Sequence, residues 1–238
     1  MSRVHCHDDF AGSGKLRLGG GVRYIGTLTL GRTDGPEASR HVRRSSRPAV
    51  HYNCWASQEV PVDRDFAHLI DMLGVAASRL TAEYFQLPVA DGDAVYRERV
   101  YCYELYHRLR CVWDGFPFSL GGEIDKAGHP HFRDGPYARA KPDLLVHVPG
   151  QMGQNLATVE VKPATVRDED LRGDLRKLSW FCEHAQYFRG ILLVYGEGGD
   201  IERMRVKLRQ AVDDGINAAV LAPLYHRTVG QRPEVVGL

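Results

Sequence analysis

The sequence predicts an α/β protein built on a mixed β-sheet with an αβββαβ core. Three observations predict it. Two β-rich runs flank a Pro/Gly turn between Lys141 and Lys162. A helical apolar stripe follows over residues 166–188. A short, wholly apolar run, Ile191-Leu192-Leu193-Val194-Tyr195, comes next and suits a strand buried on both faces.

In chain order, residues 1–50 read as a flexible, basic extension. They hold eight of the 25 glycines and little apolar periodicity. Residues 1–48 carry nine Lys/Arg against four Asp/Glu, a net of +5, so the rest of the chain nets −4. Arg43, Arg44 and Arg47 fit a solvated tail better than a phosphate contact. Gly12-Ser13-Gly14-Lys15 lacks the first glycine, the Ser/Thr after Lys and the preceding apolar strand of a phosphate loop. Residues 51–238 read as one domain, with its core over about 93–196.

Phe66, Leu69, Ile70, Leu73, Ala77 and Leu80 recur at three- and four-residue steps, predicting a helix over about 63–85 capped by Asp63 or Asp65. A second helix is expected from about Asp93 to Trp113. Phe116–Lys126 predicts the first strand, with Glu123 and Asp125 on one face. The Gly/His/Pro/Arg-rich stretch 127–140 reads as a long loop beside a substrate groove. Asp168 is placed to cap the helix over 166–188, Gly190 to stop it, and Leu171, Leu175, Leu178, Cys182 and Ala185 to form its buried face. Arg176 and Lys177 fall off that stripe and suit solvent better than a phosphate backbone. A helix over about 200–212 and a strand through 218–225 are expected as additions, with an unstructured tail after Arg227.

The hairpin carries the chemistry. Leu144–Val148 and Leu156–Lys162 fold back through Pro149–Gln154. If Asp143 faces Glu160, the midpoint falls between Gln151 and Met152, inside the turn. Glu160 and Lys162 share a face because side chains alternate along a strand. Two carboxylates and one ammonium then converge. Crowded carboxylates suit a hard cation such as Mg²⁺, and a neighbouring lysine can hold a water or steady a developing negative charge. The plainer reading is a Glu160–Lys162 ion pair on an edge strand.

Pro142-Asp143 with Glu160-Val161-Lys162 resembles the signature of the PD-(D/E)xK nuclease superfamily, the restriction-endonuclease-like fold. The resemblance covers about residues 93–196. It implies that Asp143 and Glu160 hold Mg²⁺, or Mn²⁺ in its place, and that Lys162 assists the attacking water. It also implies that the helix before the sheet lends an acid. Glu104 is the candidate there and Glu98 a weaker one, although Glu104 can instead pair with Arg108 one turn on. Glu123 is a further candidate ligand, or simply a polar strand end. The implied activity is Mg²⁺-dependent hydrolysis of phosphodiesters in nucleic acid, DNA rather than RNA, in a restriction or defence setting and with a protein regulator or partner conceivable. The alternative is a catalytically silent binding or assembly module on the same fold.

Composition bounds these readings. Hydrophobic content of 43% and charged content of 26% are ordinary for a globular chain. No apolar run reaches membrane-span length and no secretory leader is visible, so a cytoplasmic protein without membrane contact is expected. Five cysteines, none at Cys-x-x-Cys spacing, argue against a disulfide framework or zinc ribbon. His5-Cys6-His7 and His129-Pro130-His131 lack partners at ligand spacing. A net charge of +1 offers no general pull on nucleic acid.

Overall fold

A computed structural model describes residues 59–123, 135–137 and 139–238, all within one unit, Asn53–Leu238. The expected extension over 1–50, Asp125, the His129/His131 pair and most of the loop 127–140 lie outside the described residues.

A six-stranded mixed sheet organises the chain, in the spatial order β3 (Ser119–Gly122), β4 (Leu144–His147), β5 (Asn155–Pro163), β6 (Tyr187–Tyr195), β7 (Leu221–His226) and β8 (Glu234–Val235). β3, β4 and β5 are antiparallel neighbours. β6 runs parallel to β5, and β7 parallel to β6. Each parallel step is made through a helix, α4 (Asp168–His184) and then α5 (Ile201–Ala211), as parallel pairing requires.

The strands alternate their side chains between two apolar layers. Val159, Val161, Ile191, Leu193 and Tyr195 pack with α1 (Glu59–Ala77) and α3 (Glu98–Val112). Leu192 and Val194 pack with Leu171, Leu175 and Leu178 of α4 and with Met204 and Leu208 of α5. The predicted stripe runs along α4 through Leu171, Leu175, Leu178 and Cys182, four, three and four residues apart, and its last member, Ala185, is buried just beyond the helix end.

Several boundaries differ from expectation. The first predicted helix stops at Ala77, and a four-residue α2 (Ala82–Phe85) follows. The start of the second becomes a two-stranded hairpin, β1 (Leu87–Val89) and β2 (Gly92–Val95). Its turn holds Asp91 in the left-handed region at φ 57°, and Asp91-Gly92 is a hairpin signal in the sequence itself. Asp168 is the first helical residue of α4 rather than its cap, and its carboxylate meets Lys207 at 3.4 Å. Asp200 does cap α5, accepting from the Arg203 N–H at 2.8 Å.

Gly190 does not stop α4, which ends at His184. It lies inside β6, where a side chain would come within 2.9 Å of the Leu178 Cβ, so its absence lets α4 sit close on the sheet. The tail after Arg227 is not structureless. β8 (Glu234–Val235) pairs with β7, and Val236 is buried.

Candidate functional site

The predicted hairpin register holds. Leu144 pairs with Val159, Leu145 with Thr158 and Val146 with Ala157, which sets Asp143 across from Glu160 at the ladder's end. Asp143 lies just outside the strand, and its Oδ2 accepts from the Val161 N–H at 2.7 Å. The carboxylate thus caps the position where β4 stops pairing. Because β4 is antiparallel to β5, its start lies near the carboxyl ends of the parallel strands, where open α/β sheets place ligands.

Lys162 extends from the same end of β5. Its Nζ lies 2.9 Å from Oε2 of Glu98, the first residue of α3, and 3.7 Å from Oδ2 of Asp174 on α4. Lys177, one turn beyond Asp174, places its Nζ 3.0 Å from Asp174 and 2.8 Å from Oε2 of Glu160. The pairing expected on a bare edge strand, Glu160 with Lys162, is replaced by one in which each lysine bridges two acids. β4, β5, α3 and α4 each contribute to the cluster.

Four carboxylates and two ammoniums make a net of −2 when all are ionised. The surplus concentrates on Asp143 and Glu160. Burial pushes Asp143 up to about 6, against the pull of the Val161 N–H. Burial pushes Glu160 up to about 8, against the attraction of Lys177. Burial also works against the charge on Lys162, but Asp174, Glu98 and Asp143 outweigh it and raise the pKa, so the amine stays protonated.

Glu160 is 2% exposed, and its Oε1 is buried with no hydrogen-bond partner. A buried carboxylate oxygen without a donor is costly unless a cation meets it. Among the described residues, no three His, Cys, Asp or Glu side chains are gathered as a ready ligand set. Mg²⁺ commonly takes only one or two carboxylates and keeps several waters. Asp143 and Glu160, with the unpartnered Oε1, fit that half-shell.

Not every predicted residue joins. The Glu104 carboxylate is taken by Arg108 at 2.5 Å, one turn on along α3. The acid that α3 brings to the cluster is Glu98, six residues earlier and therefore on another side of the helix. Glu123 comes near through its backbone, whose N–H donates to the Asp143 carbonyl at 3.2 Å. Its half-exposed carboxylate faces Arg99 at 3.4 Å instead. The sequence assigns Asp174 no role, and Lys177, expected in solvent, is instead mostly buried against Glu160 and Asp174. Their signal was a one-turn Asp/Lys spacing along the edge of the α4 apolar stripe, where long side chains can reach past the sheet.

Two concavities border the cluster. One of about 580 Å³ lies beside Lys162, Glu98 and Asp174. The other, of about 350 Å³, lies between α3 and the Asp143 end of β4. No helix among the described residues is long and apolar enough to cross a membrane. No family model, curated protein or solved structure matches the chain.

Proposed function

We propose that this chain is a divalent-cation-dependent nuclease of the PD-(D/E)xK type, hydrolysing phosphodiester bonds in nucleic acid, DNA by preference. The observation that carries this reading is the Glu160 carboxylate. It is buried across from Asp143 with one oxygen held by Lys177 and the other unpartnered. The element order from α3 through β6, a helix, three antiparallel strands, a helix and a parallel strand, supports the restriction-endonuclease-like form of the fold.

In this reading Asp143 and Glu160 would hold Mg²⁺ or Mn²⁺. When bound, such a cation acidifies water and offsets charge on the phosphate. The protein's own contribution centres on Lys162. Glu98 and Asp174 keep its amine charged and fix its direction, which suits it to donate to the attacking water or to a phosphate oxygen, not to take a proton. Asp174 acts behind it as a positioning residue, and Lys177 holds one oxygen of Glu160. The water oxygen bonds to phosphorus and gives up a proton to solvent, the phosphorus–oxygen bond to the departing sugar breaks, and that sugar oxygen takes up a proton from solvent to leave as a hydroxyl.

A second reading is favoured by a specific observation. The concavity beside Lys162 is lined by Glu98, Glu169, Asp170 and Asp174 against only Lys162 and Arg167, a mouth that repels phosphate. A silent binding or assembly module would tolerate that. The deciding experiment is cleavage of linear, circular and single-stranded substrates with and without Mg²⁺, run beside Lys162→Ala. Mg²⁺-dependent cleavage lost in the variant supports the nuclease. Absence of cleavage together with absence of any heat signal on Mg²⁺ or Mn²⁺ titration supports the silent module.

A further inference from the structure

The smaller concavity, about 350 Å³, is walled by Cys102, Tyr103 and Tyr106 of α3 and by Gly122 of β3, with Asp143 at one end. This is the small end of the size range of ligand pockets, roughly 300–1,000 Å³, and suits one planar ring system rather than a polymer segment. Tyr103 and Tyr106 are one turn apart on α3. Tyr106 is partly buried against the core, and its hydroxyl donates to the Leu120 carbonyl at 3.4 Å. Tyr103 is 60% exposed, more than any other tyrosine, phenylalanine or tryptophan among the described residues.

Gly122 explains why the space exists. It closes edge strand β3 opposite Leu144, and its backbone is not in the left-handed region, so the local conformation does not demand glycine. A Cβ there would meet the Asp143 carbonyl at 3.7 Å and the Tyr106 ring at 3.9 Å, ordinary contact distances. What glycine does at 122 is leave out a side chain between the tyrosines and the sheet. The pocket then ends at the carboxylate that the proposed function assigns to the cation.

Together these features point to an occupant. If a phosphate is cleaved at Asp143 and Glu160, the base of an adjoining nucleotide lies within reach of the pocket. In a duplex that base is paired and stacked and does not enter. In a single strand it can turn in and lie against tyrosine, an interaction every base can make. We propose that the Tyr103–Tyr106–Gly122 pocket receives one unpaired nucleobase, so that the substrate at this site is single-stranded nucleic acid. This inference rests on the nuclease reading and narrows its substrate class.

The test is fluorescence anisotropy with a labelled oligothymidylate strand and a duplex of equal length, in Ca²⁺ to hold back cleavage. The proteins are wild type, Gly122→Val, Tyr103→Ala and Tyr103→Phe. Valine suits an extended position and fills the pocket, while Tyr103 is exposed enough to truncate without disturbing the core. Expected results are tighter binding of the strand than of the duplex by wild type, and a loss of about tenfold for the strand in Gly122→Val and Tyr103→Ala, the size of one base–aromatic stack. Tyr103→Phe keeps the ring and binds as wild type. Strand affinity unchanged in both Gly122→Val and Tyr103→Ala, or a wild-type preference for duplex, overturns the pocket assignment while Mg²⁺-dependent cleavage leaves the nuclease reading standing. A wild type that neither cleaves nor binds either probe removes both.

Discussion

Two buried polar clusters sit at the same end of the sheet and are built on opposite rules. Around Glu160 and Lys162 the protein buries charges and surrounds them with counter-charges. Around His226, three strands away from β4, it buries polar groups that stay neutral. The Tyr101 hydroxyl and the His226 Nδ1 share a hydrogen bond of 2.8 Å. Tyr195 stacks on Tyr101 with centroids 4.0 Å apart, and Phe85 meets the imidazole edge-on. Burial pushes His226 down to about 4, with the backbone of Thr228 and Gln231 pulling weakly the other way. The hydrogen bond and ring contacts of this neutral cluster fasten α2 and α3 to β6 and β7, and the polar atoms it leaves without a partner, the Tyr195 hydroxyl and the His226 Nε2, belong to neutral groups. The charged cluster instead leaves a carboxylate oxygen without a partner, the kind of buried atom that a cation can complete.

The largest expected difference is in catalysis. Lys162→Ala lowers Mg²⁺-dependent cleavage at least about a hundredfold, as loss of one preorganised donor commonly does, whereas Tyr101→Phe leaves it unchanged. Initial rates on a labelled substrate measure both, with circular dichroism to show that each variant folds. Equal losses in the two variants would erase the distinction between a chemical cluster and a structural one.

The next effect concerns Lys177. Its ammonium and a divalent ion would share the Glu160 carboxylate, and their repulsion exceeds about 1 kcal/mol even at water-like screening. Lys177→Gln therefore tightens Mn²⁺ binding by about tenfold on that Coulomb estimate, read by calorimetry, while Lys177→Arg stays near wild type. Weaker binding in the glutamine variant would make Lys177 a support for the site instead of a competitor at it.

The clusters also tilt stability with pH in opposite directions. Asp143 and Glu160 have folded-state pKa values of about 6 and about 8, above their ordinary 3.8 and 4.5. The folded state then holds more protons than the unfolded one, and their contribution is lost as pH rises through that window. His226, at about 4 against an ordinary 6.5, does the reverse, and its contribution is lost as pH falls from 6.5 toward 4. Thermal melts from pH 4 to 9 should show Glu160→Gln flattening the alkaline limb and His226→Gln the acid limb. Mg²⁺ should stabilise wild type more at pH 8 than at pH 5. Identical pH profiles for all three proteins would count against both assignments.

The smallest effect is structural. Tyr101→Phe removes the partner of a buried imidazole nitrogen and costs about 1 kcal/mol, the usual worth of such a bond. Urea unfolding reads it, and no loss would mean that His226 is satisfied elsewhere.

Much of this was legible in the chain. The hairpin around Gln151 and Met152, the α4 stripe and the buried strand at Ile191–Tyr195 follow from period, turn residues and alternation, all of which are local, whereas the Asp143–Glu160 opposition also needs the one-residue shift in the ladder between Val146 and His147. The misplaced candidate on α3 shows where local reading ends. Glu104 and Glu98 are both acids on one helix, and periodicity alone does not say which side of that helix meets the end of the sheet. Lys177 shows the same limit on α4: off the apolar stripe, yet folded over the sheet's end onto a buried acid.

The sequence by itself determined which runs pair about the Pro149–Gln154 turn and so which acids come together, while a one-residue shift in the ladder between Val146 and His147 sets Asp143 directly across from Glu160. Only the tertiary structure decided which charges neutralise them. That depends on how α3 and α4 cross the sheet, and side chains from residues 98, 162, 174 and 177 meet through packing over distances that no repeat in the sequence records.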